Sequence, residues 1–213
     1  MKTDDLISAL ASNAEAIEPH ALQRRYATAL GSGALGTAVL MALLLGLRPD
    51  LSEAARLPMF WMKLAFPATL FAGALLAVTR LSCPGVRLGR VAAGIAAPVV
   101  AVWMLAAVVL LGAAPADYDD LILGKTWASC SFSIAMLSVP LFAALMWAMK
   151  GLAPTRLALA GAAAGLLSGA GGAVVYALHC PETGAPFLAI WYLLGMLIPA
   201  IAGAWVGPRL LRW

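Results

Sequence analysis

The chain has 213 residues, of which 63% are hydrophobic and 11% charged, with a net charge of +4. A soluble domain carries roughly 25% charged residues, so the composition excludes an ordinary water-soluble fold and points to a chain solvated by lipid. The positive balance is not that of a nucleic-acid binder. Lys and Arg gather at the ends of apolar runs, and no basic stripe with interleaved aromatics occurs. Three cysteines are too few for a disulfide scaffold and lack the spacing of a zinc knuckle. The polar, acidic opening at Met1 to Asp5 is unlike a cleavable signal peptide, so none is expected.

Residues 1–25 form the one sizeable polar segment, expected to be a cytoplasmic arm. Thr3 suits a helix cap, and Asp4 and Asp5 complement the positive end of a helix dipole. Leu6, Ile7, Leu10, Ala14 and Ile17 then recur at helical spacing before Pro19. A helix of about a dozen residues is marginal alone in water, so this arm needs a membrane surface or a partner. Arg24 and Arg25 close it at the bilayer edge.

Six apolar spans follow, over 28–47, 59–79, 91–113, 129–149, 157–178 and 186–206. Each holds about 20 apolar residues, enough to cross a hydrocarbon core about 30 Å thick. The expected fold is all-α, a six-helix transmembrane domain over 26–213 behind a short N-terminal helix. Counting Lys and Arg by side places ten at the end that holds both termini and four at the other, Lys63 included. That asymmetry puts both termini in the cytoplasm.

Within that topology the stretch from Trp127 to Cys180 is a helical hairpin closed by the basic turn 150–156. Cys130 and Cys180 fall together at its outer mouth, and Cys83 lies on the cytoplasmic side. Packed helices are 8–10 Å apart, whereas a disulfide needs Cα atoms within about 7 Å. The pair is thus either two small interface residues, a static bridge, a switchable thiol pair or part of a soft-metal site. His179, Asp117, Asp119, Asp120 and Glu182 share that face and, with Cys130 and Cys180, could supply ligands to a thiophilic ion. The competing reading of His179 is an interfacial histidine.

Lys63 lies a few residues inside the second span. An ionisable group there hints at function, but snorkelling to the near interface is the cheaper expectation. Trp61, Trp127, Trp191 and Tyr192 read as interfacial belt residues. Gly161, Gly165 and Gly169 recur every four residues, with Gly172 following. Such a ladder serves either internal packing or a homodimer face. No catalytic triad, metalloprotease helix, P-loop or dinucleotide-binding glycine motif occurs, so neither an enzyme nor a resident cofactor is expected.

The order and spacing of seven segments resemble a known family. They are Met1-Lys-Thr-Asp-Asp-Leu-Ile7, Arg48-Pro-Asp-Leu51, Pro58-Met-Phe-Trp-Met-Lys63 and Leu137-Ser-Val-Pro140. Ala153-Pro-Thr-Arg156, Tyr176-Ala-Leu-His-Cys180 and Leu211-Arg-Trp213 complete the set. Together they span nearly the whole chain and resemble the NrsF-type polytopic anti-sigma factors of proteobacteria. The resemblance implies an inner-membrane inhibitor that holds an extracytoplasmic-function sigma factor until stress arrives. It also implies that Cys130 and Cys180 take part in sensing heavy-metal or oxidant stress of the chromate or cadmium type. Asp4, Asp5, Leu6, Ile7, Leu10 and Ile17 are then the expected sigma-binding residues, with lipid the other partner and no direct nucleic-acid contact. The competing class is a small six-helix transporter or channel for a metal ion or small solute, and a third is a structural subunit. Beyond Lys63 the spans carry no charge, which disfavours ion-coupled transport.

Overall fold

The computed structural model describes residues 3–12, 20–83, 85–152 and 154–212. Among them every regular element is helical. In order they are α1 (Thr3–Ser12), α2 (Ala21–Leu44), α3 (Leu51–Ala54), α4 (Pro58–Leu81) and α5 (Val91–Gly112). A 3-10 turn (Pro115–Asp117) leads to α6 (Tyr118–Leu123), then α7 (Trp127–Lys150), α8 (Leu157–Tyr176) and α9 (Ala185–Phe187). A π turn (Leu188–Tyr192) joins α9 to α10 (Leu193–Leu210). Six helical stretches are long and apolar enough to cross a membrane: Leu22–Leu44, Pro58–Leu81, Val91–Gly112, Pro115–Lys150, Leu157–Tyr176 and Ala185–Leu210.

The first span therefore starts at Leu22 rather than at residue 28, and Arg24 and Arg25 belong to its helix. The reason is local. Arg25 lies with its guanidinium 5.5 Å from the Trp147 ring of α7, so the basic pair is held against the bundle. Of the expected sigma-binding residues, Asp4, Asp5, Leu6, Ile7 and Leu10 fall on α1, and Ile17 lies outside the described residues.

Helix α8 is the central post, packed on α10, α7 and α4, while α2 leans on α7 and α5 lies against α4 and α9. Lipid is as apolar as any side chain, so close van der Waals contact and interhelical hydrogen bonds must hold such a bundle together. Small residues supply the contact. A Cβ on Gly161 would collide with the Gly203 carbonyl, and one on Gly165 with that of Pro199. At Gly169 it would come within 2.8 Å of the Met196 carbonyl. The ladder is thus occupied by α10 inside the chain, and Gly172 faces Ile134 and Ser138 of α7 instead. A second seam joins α2 to α7. Gly33 and Gly36 abut Leu141 and Pro140, and Thr37 donates 3.0 Å to the Leu137 carbonyl in the stretch that Pro140 interrupts.

These seams leave two apolar clusters, one at each end of the bundle. One gathers Tyr26, Leu81, Met149 and Leu211; the other gathers Cys130, Tyr176, Cys180, Phe187 and Tyr192. The second holds the chemistry.

Candidate functional site

Cys130 lies in the first turn of α7, and Cys180 in the connection that follows α8. Because α7 and α8 pack as a hairpin, residues fifty apart in sequence meet at its open end. Both thiols are free and fully buried, and they belong to one core cluster, near enough to act on each other electrostatically. Thr126, just ahead of α7, brings its hydroxyl to 3.9 Å from the Cys180 sulfur.

Lys63 completes the site, contrary to the snorkelling expectation. Its side chain is 0% exposed, and its Nζ donates 2.6 Å to the Cys180 carbonyl and lies 5.4 Å from the centre of the Tyr192 ring. The cause is helical phase. Phe60, Lys63, Phe66, Leu70 and Ala74 form the buried stripe of α4, so Lys63 points at the α8–α9 connection instead of along the bilayer edge. The desolvation cost of that placement is offset by the charge-assisted bond, the aromatic face and the adjacent thiols.

Tyr192 is the second correction. Instead of joining an interfacial belt it is 0% exposed, with its ring 5.9 Å from Tyr176 and 6.5 Å from Phe187. The π turn shifts the helical phase of the sixth span, and in that phase Tyr192 falls on the side that faces Tyr176 and Phe187. Trp191 is half-buried, lies tilted 5.3 Å from the Trp127 ring and donates 2.8 Å to the Ile122 carbonyl, while Tyr192 turns in. Ser131 of α7 steadies the turn by donating 2.8 Å to the Trp191 carbonyl. Trp61 and Trp127 are exposed, as belt residues would be.

Three connections roof the site. His179 Nδ1 lies 3.0 Å from the Gly46 carbonyl, and the Arg48 amide bonds the Leu178 carbonyl. Glu182 accepts 2.9 Å from the Lys125 amide, next to Gly124, whose φ of 55° suits glycine. Arg48 itself is held by Asp50 at 2.5 Å.

The electrostatics set the two thiols apart. The hydrogen bond from Cys130 and the nearby Lys63 ammonium outweigh burial and hold the Cys180 thiol down at about 5, from an ordinary 9.0. A low thiol value means a thiolate at neutral pH, which is the nucleophilic form. By contrast, the soft-metal alternative finds no cluster of three ligands. Among the described residues no three of His, Cys, Asp and Glu gather at one point. His179 is turned to the Gly46 carbonyl, Glu182 to the Lys125 amide, and the ammonium of Lys63 stands beside the sulfurs and repels a cation.

Sequence reasoning found the two thiols and missed Lys63, Tyr176 and Tyr192 as their surroundings. The one usable signal was the charge of Lys63 inside a span. Elsewhere, a cavity of about 420 Å³ between α2, α4, α7 and α8 is lined by Leu30, Thr37, Phe71, Leu141 and Val175 among others, with no charged side chain. It offers no polar route through the bundle.

Residues 10–213 match the family described as Negative regulator of sigma F, NrsF. Over the full length of both chains, the sequence is 54% identical to the probable anti-sigma-F factor NrsF of Azospira oryzae. It is 43% identical, again over the whole of both chains, to the anti-sigma-F factor NrsF of Caulobacter vibrioides. No solved structure matches it. The chain belongs to the NrsF family.

Proposed function

We propose that this member of the NrsF family is an inner-membrane anti-sigma factor. It holds an extracytoplasmic-function sigma factor at the cytoplasmic face and releases it when Cys130 and Cys180 are oxidised from the periplasmic side. The observation that carries the reading is the end-to-end match to two relatives named as anti-sigma-F factors. The apolar cavity, with no charged group along it, supports a regulator over a transporter.

Features at the two ends of the chain's bundle support a division of labour. Helix α1 is too short to be stable alone and carries exposed Asp4 and Asp5 in its first turn. Such a segment orders on a partner, its acidic end facing basic sigma surface and its apolar residues serving as anchors. At the other end, two adjacent thiols need no third ligand to respond to an oxidant, whereas a cation would meet two sulfurs and an ammonium. Oxidant stress, an oxidising oxyanion of the chromate kind included, therefore fits the site better than cadmium-type capture. For release, the oxidised state must favour the sigma-free form by a differential free energy. A shift from 1:99 to 99:1 takes about 5.5 kcal/mol.

The test is capture of sigma factors from the same genome on membranes carrying the full chain or a chain lacking residues 1–19, which leaves α2 whole. Arm-dependent capture that is lost on oxidation of wild type, and retained in Cys130→Ser and Cys180→Ser, is the expected result. Failure of the full chain to capture any sigma factor overturns the reading. Release by cadmium without disulfide formation would replace the oxidant with a cation.

A further inference from the structure

Lys63 is a buried cation that the sensor reading leaves without a task. The titratable and charged groups acting on it are Cys180, Arg48 and Cys130, and among the described residues no carboxylate is one of them. A dry ammonium without a counter-charge is costly. The titratable groups that act on the Cys180 thiol are Cys130 from α7, Lys63 from α4, Tyr176 from α8, Tyr192 from the sixth span and Arg48 from the connection before α3. Two of these are cations, and Arg48 is already engaged with Asp50. Lys63 is thus the cation left to balance a sulfur anion, and its bond to the Cys180 carbonyl anchors it to the residue that carries that sulfur.

We infer that Lys63 is a working member of the thiol site: its ammonium is the counter-charge of a Cys180 thiolate and makes Cys180 the attacking sulfur toward a peroxide-class oxidant. The inference rests on the sensor reading for its purpose, and its chemistry starts from the placement of the Lys63 ammonium against the Cys180 carbonyl and the Tyr192 ring. The Cys180 thiolate attacks one oxygen of ROOH. A sulfur–oxygen bond forms, the oxygen–oxygen bond breaks, and two electrons pass from sulfur to the peroxide. The leaving alkoxide takes a proton from Lys63 and departs as ROH, so Cys180 sulfenic acid and a neutral amine remain. The Cys130 thiol then attacks that sulfur. A disulfide forms, the sulfur–oxygen bond breaks, and water leaves with the Cys130 proton. In sum, two thiols and one ROOH become a disulfide, ROH and water. The amine is left facing no anion, so the reaction also erases the charge pair that ties α4 to the α8–α9 connection.

The experiment uses the full chain in nanodiscs. The rate of Cys180 alkylation by N-ethylmaleimide is followed by mass spectrometry from pH 4 to 10 in wild type, Lys63→Met and Lys63→Arg. Wild type should keep its rate down to about pH 5. In Lys63→Met the midpoint should move up toward an ordinary thiol, with a fall of about tenfold or more at pH 7, and Lys63→Arg should restore the low midpoint. A merely structural lysine would change the amplitude and leave the midpoint in place, and that result overturns the inference. Should Lys63→Met fail to fold, the wild-type background still decides. With hydrogen peroxide and a dimedone trap, Cys130→Ser should accumulate sulfenic acid on Cys180, and Cys180→Ser should leave Cys130 about tenfold or more slower to react. Cys130 reacting first overturns the inference. An unshifted midpoint with cysteine-dependent sigma release would sink the role of Lys63 and leave the sensor reading standing. A shifted midpoint with cysteine-independent release would do the reverse.

Discussion

The hydroxyl of Tyr26, near the start of α2, hydrogen-bonds the hydroxyl of Ser82, the residue that closes α4, and both are buried. The bond ties the root of the N-terminal arm to a helix that carries Lys63 near its opposite end. At 1.5 Å per residue, α4 is a rod about 36 Å long. The two partners are not equivalent, because Ser82 also donates 2.8 Å to the Val78 carbonyl of its own helix. Tyr26→Phe leaves Ser82 satisfied and should cost about 0.5–1.5 kcal/mol. Ser82→Ala strands a buried phenol and should cost about 1–3 kcal/mol. Thermal unfolding in detergent gives the order, and a larger loss for Tyr26→Phe would contradict the packing described.

Glycine replacements should separate sharply by face. Gly161→Ala and Gly203→Ala drive a methyl into a backbone carbonyl of the facing helix, which no side-chain rotation relieves. Overpacking of this kind costs about 1–3 kcal/mol, occasionally more. Gly94→Ala meets nothing within 4 Å and should be neutral or slightly stabilising. Equal melting temperatures for Gly94→Ala and Gly161→Ala would refute the α8–α10 seam.

Treatment with diamide should join Cys130 to Cys180 within one chain, because the two thiols share one buried cluster, and should leave Cys83 free. Cys83 belongs to the other end of the bundle, beside Ser82. Peptide mapping after trapping with N-ethylmaleimide reads the outcome. Covalent dimers in place of the intrachain bridge would show that the thiols are not paired.

The roof over the thiols should govern how fast reagents arrive. Glu182 accepts the Lys125 amide, and a hydrogen bond to a charged group is worth about 1.5–3 kcal/mol. Glu182→Ala should therefore speed N-ethylmaleimide modification of Cys180 by roughly tenfold or more, with no shift of its pH midpoint. A rate equal to wild type would mean that access runs by another path.

Orientation is open to direct labelling in intact cells. Asp119 and Arg87 are both exposed, on connections at opposite ends of the bundle. In a Cys83→Ser background, Asp119→Cys should react with a membrane-impermeant maleimide from outside. Arg87→Cys should react after permeabilisation alone. The reverse pattern would invert the topology and move the thiol site to the cytoplasm.

The six spans were legible because each must satisfy one strong condition, about 20 apolar residues between polar connections. The meeting of Cys130 and Cys180 was legible as well, since a short turn fixes a hairpin and a hairpin brings its two outer ends together. The start of α2 was not, because Arg24 and Arg25 end an apolar run without ending a helix. The place of Ile17 lies outside the described residues.

What the sequence could not determine is which way each membrane helix faces. In water a buried stripe stands out against polar residues, but in lipid both faces of a span are apolar, so phase leaves no mark. That is why Lys63 read as a snorkelling residue at the rim and Tyr192 as part of a belt. Only tertiary packing, through the buried stripe of α4 and the π turn before α10, set an ammonium and a phenol against two thiols. Length and hydropathy determined that this chain crosses the membrane. Rotation of its helices about their own axes decided what it keeps inside.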